Sequence, residues 1–89
     1  MEIVRRASAG TLESSDAYVE IEPAQDRTVT LESVVQAQFG QDILRTANEL
    51  LDQLAVEKAA VRITDRGALE CVLRARLETA VLRGTEAGV

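Results

Sequence analysis

The 89 residues carry a net charge of -5 and contain no histidine, no tryptophan and one cysteine. Without imidazole, Ser-His nucleophilic sites are excluded, and a transition-metal site would have to be built without histidine or a second thiolate, so neither a catalytic residue nor a metal ligand is expected. The acidic balance argues against nucleic acid and anionic membranes as partners, and the lone Cys71, which can form no intramolecular disulfide, fits a reducing cytoplasm.

A chain of this length makes one domain, 1–89, that buries roughly 60 to 65% of the surface its unfolded form exposes. With one Phe and one Tyr, the core must come from Leu, Val, Ile and Ala, which make poor walls for an aromatic ligand. No long apolar run follows Met1-Glu2-Ile3-Val4-Arg5-Arg6, so neither a signal peptide nor a membrane span is expected. Val4 to Leu12, diluted by Ala7, Ala9 and Gly10, admits at most a short edge strand. The polar run Gly10-Thr11-Leu12-Glu13-Ser14-Ser15-Asp16 follows.

From Ala17 to Glu32 apolar and polar residues alternate: Val19 and Ile21, then Val29 and Leu31. Two half-buried strands result, and Pro23-Ala24-Gln25-Asp26 between them has turn chemistry, so a hairpin is predicted. Ser33 with Gln36 is a capping-box pattern that opens a helix over 34–55, with Val35, Phe39, Ile43, Ala47, Leu50 and Leu54 as its apolar stripe. Gly40 weakens that helix by about 1 kcal/mol relative to alanine and marks a candidate bend.

Ala59, Val61 and Ile63 alternate as a third strand, which makes a β-α-β crossover, right-handed where the strands are parallel. Residues 68–73 fit a strand or a helix. The stripe Leu69, Val72, Leu73, Leu77, Ala80 and Val81 outlasts the alternation, so length favours a helix over 68–83, with Arg76 snorkelling from within the stripe. Gly84 to Val89 reads as a frayed tail. The fold class is α/β (α+β), a single small domain ordered roughly β-β-α-β-α, with two helices packed on a small sheet.

Ser14 is the candidate functional residue: with no base to activate it, its hydroxyl is a group that another enzyme modifies, against the plainer reading of a loop hydroxyl. Glu13 and Asp16 beside it either orient a transferase or keep the loop solvated. Arg74 and Arg76 either contact phosphates or a partner, or are ordinary surface arginines, and reactive-thiol chemistry at Cys71 is the minority reading. Acidic residues concentrate between 13 and 32 and arginines between 66 and 83, which gives either a protein-docking face or scattered solvating charge.

Ala9 to Ser14, Ser33-Val34-Val35 with Gln38-Phe39-Gly40, and Gly67-Ala68-Leu69-Glu70-Cys71 leading into Arg74-Ala75-Arg76-Leu77-Glu78 occur in the same order as in one family. In these three blocks the chain resembles the acyl carrier protein, or gamma subunit, of citrate lyase. Ser15 is a departure, adding a second hydroxyl beside the expected one.

The resemblance implies that Ser14 carries a covalent prosthetic group, a phosphoribosyl-dephospho-CoA arm derived from triphosphoribosyl-dephospho-CoA, through a phosphodiester, with Ser15 the lesser candidate. It implies an arm thiol that holds an acetyl or citryl unit as a thioester. The alpha and beta subunits and a prosthetic-group transferase are the implied partners, and acetate and oxaloacetate are the products of citrate cleavage. On this reading the chain is a non-catalytic carrier. The alternatives are the carrier subunit of malonate decarboxylase and a non-carrier assembly module.

Overall fold

The computed structural model describes residues 1–85 and, of residues 36 and 37, the backbone only. Four strands and two helices follow in the order β1 (Ala7–Gly10), β2 (Ala17–Pro23), β3 (Thr28–Ser33), α1 (Gln36–Gln53), β4 (Ala59–Asp65) and α2 (Glu70–Thr85). The α+β class and the succession from β2 onward follow the alternation in the sequence, and β1 is the short edge strand that Val4 to Leu12 admits.

The sheet order is β1-β2-β4-β3, with β1–β2 and β2–β4 antiparallel and β3–β4 parallel. The hairpin predicted for β2 and β3 therefore does not form. Alternation fixes which face each residue occupies but not which strand it neighbours. The turn reverses the chain as its residues require, yet leaves a gap that β4 fills; next-nearest strands lie about 10 Å apart, which four linking residues span easily. β4 gains by this placement, because Ala59, Val61 and Ile63 are then buried and its backbone groups are paired on both sides.

Register lines the core face up in rows. Ala7, Ile21, Val61 and Val29 form one; Ala9, Val19, Ile63 and Leu31 form the next. The third differs in character: Ala17, Asp65 and Ser33. Both helices cover this face, contributing Ala47, Leu50 and Leu51 from α1 and Leu73, Leu77, Ala80 and Val81 from α2 to a single core. The other face shows Tyr18, Glu20, Glu22, Thr28, Thr30, Glu32 and Arg62.

Helix α1 runs unbroken through Gly40 over 36–53 rather than 34–55. Its stripe is in the core or packed against it at Ile43, Ala47, Leu50 and Leu54, while Phe39 leaves half its surface exposed. The capping box does not form. Ser33 is the last residue of β3; its Oγ donates to Asp65 Oδ2 at 2.8 Å and accepts the Val35 N–H at 3.1 Å, and Val35 takes the N-cap position without a side-chain cap. A buried carboxylate needs a donor more than helix-end amides that water can reach.

Helix α2 settles residues 68–73: the chain is helical from Glu70, and Leu69 lies ahead of it, exposed. The helix also extends past the expected end. Gly84 is buried because the N-terminal segment crosses it, with Val4 N–H bonded to Gly84 O at 2.9 Å and Ile3 in the core. The rest of the expected tail, residues 86–89, lies outside the described residues.

Candidate functional site

Three connections converge at the end of the sheet where Ala17, Asp65 and Ser33 stand side by side: residues 11–16 between β1 and β2, 34–35 between β3 and α1, and 66–69 between β4 and α2. Ser14 lies in the first. Residues 13–16 form a turn closed by the Asp16 N–H on Glu13 O at 3.1 Å, so Ser14 and Ser15 are its two central residues. Ser15 adopts a positive φ of 67°, as the second central residue of a type II turn does.

This turn is fastened to the rest of the protein. Ser15 N–H donates to Arg66 O at 2.8 Å, and Arg66 N–H donates back to Asp16 O at 2.9 Å. The Asp16 carboxylate accepts four hydrogen bonds. Its Oδ1 takes the Ala17 N–H at 2.7 Å and Arg76 Nε at 3.0 Å; its Oδ2 takes Thr11 Oγ1 at 2.6 Å and Arg76 Nη2 at 2.9 Å. Arg76 hydrogen bonding, then Thr11 and the Ala17 amide, hold the Asp16 carboxyl well below the usual carboxylate range, and the same pairing raises Arg76.

Gly10 makes room for this arrangement at a φ of +98°, where a Cβ would lie 1.9 Å from Ala17 O and 3.2 Å from Arg76 Cδ. Beneath, Asp65 Oδ1 accepts the Ala68 N–H at 3.0 Å and shapes the turn into α2. The Ser14 and Ser15 side chains are both exposed, and the Ser14 hydroxyl has no hydrogen-bond partner among the described residues. The three connections and the first turn of α1 also expose apolar side chains: Leu12 at 56%, Val34 at 64%, Phe39 at 50% and Leu69 at 71%.

The residues singled out in the sequence sort accordingly. Asp16 and Arg76, 60 positions apart, meet, so neither is a free handle for a metal, a transferase or a phosphate in this arrangement. Glu13 is exposed at the turn, Arg74 reaches Gln53 Oε1 at 3.3 Å, and Cys71 is an exposed thiol on α2. No group of three metal-ligating side chains occurs among the described residues. Gly10, Thr11 and Arg66 escaped the sequence reading; only the glycine before a polar run was a visible signal.

The sequence profile of the family described as malonate decarboxylase delta subunit (MdcD) matches residues 4–84. The citrate lyase acyl carrier protein of Escherichia fergusonii is 54% identical over 88 residues, covering 97% of this chain and 91% of that protein. That of Clostridium perfringens is 49% identical, over 97% of this chain and 87% of that protein. Among solved structures, a chain of a Pseudomonas malonate decarboxylase hetero-tetramer in complex with malonate superposes with a TM-score of 0.67 at 27% identity, over 91% of this chain and 84% of that one. The chain belongs to the acyl carrier protein family that includes the citrate lyase acyl carrier proteins.

Proposed function

We propose that the chain is the acyl carrier subunit of a cytoplasmic citrate lyase, carrying a phosphoribosyl-dephospho-CoA arm esterified to Ser14. The observation that carries this reading is the Ser14 hydroxyl itself: exposed, unpartnered among the described residues, and held at a turn fastened to the sheet and to α2. Such a hydroxyl suits a phosphodiester that leaves the protein surface and needs no pocket. When bound, the arm supplies a terminal thiol that holds an acyl unit as a thioester.

The polypeptide's own work is to present, hold and dock. Pairing with Arg76 offsets the Asp16 charge beside a polyanionic arm. A tethered group reaches successive active sites at an effective concentration commonly of about mM, with no dissociation between steps. Leu12, Val34, Phe39 and Leu69, exposed at the serine end, are surface that an alpha or beta subunit receiving the arm would cover. The bond changes belong to those subunits, and attachment belongs to a transferase.

Intact-mass analysis after co-expression with the attachment enzymes tests this. Wild-type protein should gain the full arm and Ser14→Ala none; a Ser14→Ala protein that gains it refutes the assignment. The second reading, a malonate decarboxylase carrier, is supported by the family profile over residues 4–84 and by the fold match at 27% identity, against 54% and 49% for citrate lyase carriers. Adding the loaded chain to carrier-depleted lyase and decarboxylase separates the two. An active complex whose carrier is unmodified would point to an assembly module instead.

A further inference from the structure

We propose that Thr11, Asp16 and Arg76 act as positioning residues that select Ser14 over Ser15 for modification, an inference that rests on the carrier reading of Ser14. The two hydroxyls are adjacent, chemically equal and both exposed. A modifying enzyme can tell them apart only if the backbone fixes which one occupies the first central position of the turn. A slip of one residue toward the C-terminus would put Ser15 in that position.

The clasp opposes that slip from both sides. The Asp16 carboxylate ends the turn and is gripped by Thr11 before it, by the Ala17 amide after it and by Arg76 from α2. Because Arg76 binds through Nε and Nη2 to different oxygens, it fixes the plane of the carboxylate as well as its position. Ser15 is tied down by its own amide on Arg66 O and by its positive φ, while Ser14 makes no comparable bond. The arrangement leaves one hydroxyl at the apex and fastens the backbone of the other to the protein body.

The test is a loading time course with the transferase and its triphosphoribosyl donor, followed by peptide mapping to locate the arm. Wild type and Thr11→Ser should load on Ser14 at matching rates. Arg76→Gln and Asp16→Asn should load with kcat/KM lowered about tenfold or more, as expected for misplacement of a reacting atom, and with part of the arm on Ser15. Thr11→Val should show the same redistribution in milder form. A purely structural weakening would lower the yield and leave the arm on Ser14.

Variants that load only Ser14 at the wild-type rate overturn the inference while leaving the carrier reading intact. Wild-type protein with no arm on Ser14 overturns both. Should the two charge-altering variants fail to fold, Thr11→Val decides alone, since it removes one hydroxyl from an exposed residue outside the core cluster.

Discussion

The two ends of the sheet are built on different physics. Away from the serine, β4 begins at buried Ala59, preceded by buried Val56, and α1 closes with a Schellman-type cap in which Val56 N–H bonds Leu51 O and Ala55 N–H bonds Asp52 O. Arg27 seals the crossing from β2 to β3 there, bonding Val56 O at 3.1 Å and pairing with Asp52 at 2.8 Å. At the serine end the last core row includes a buried carboxylate, the loops are joined by hydrogen bonds, and apolar side chains are left outside. Burial gives more stability than direction, whereas charge-assisted hydrogen bonds give direction at modest net stability. A carrier needs the second kind of structure only where its hydroxyl must be recognised.

The sharpest way to break the comparison is Gly10→Ala, which attacks the serine end alone. Its Cβ would meet Ala17 O and Arg76 Cδ on a backbone that L-residues rarely adopt, so unfolding in urea should show a loss of about 3 kcal/mol together with slowed loading. An unchanged midpoint with normal loading would mean that the β1–β2 loop does not depend on this close approach.

The same contrast explains what the sequence made legible. Alternation in β2, β3 and β4 and the stripe of α2 identified most of the core, because burial leaves a periodic trace. Composition and resemblance to a family single out Ser14, and the structure shows its side chain exposed at a turn. Strand order was not legible, since the period of Val29 and Leu31 is identical whether their neighbour is β2 or β4. The clasp was equally hidden: no local pattern links Asp16 to an arginine sixty residues away, and Ser33 looked like a helix cap because its true partner, Asp65, lies on another strand.

A smaller effect sharpens the comparison through the two non-glycine residues with positive φ among the described residues, Ser15 at one end and Ala55 at the other. Glycine suits either backbone better, so Ala55→Gly and Ser15→Gly should each raise stability by about 1 kcal/mol in urea unfolding. Ala55→Gly should leave loading unchanged, and Ser15→Gly should still load on Ser14. Loss of loading in Ser15→Gly would move the attachment to Ser15. A loss of stability in Ala55→Gly would show that the methyl group at the α1 cap packs more usefully than the strain costs.

The smallest effect separates charge from geometry within the clasp. Asp16 has a folded pKa below its unfolded value of about 3.9, so the unfolded chain binds the proton first as pH falls. The stabilisation from its pairing is therefore complete above about pH 5 and is lost as pH drops through the unfolded value toward the folded one, while Arg76 stays charged throughout. The stability difference between wild type and Asp16→Asn should shrink over that window, with other carboxylates cancelling in the comparison. It should also weaken in about 1 M salt, because the Asp16 side chain is 14% and the Arg76 side chain 40% exposed and the pair is partly screened. A difference indifferent to both acid and salt would assign the clasp's stabilising effect to hydrogen-bond geometry that asparagine disrupts, with the ionic charge contributing nothing measurable.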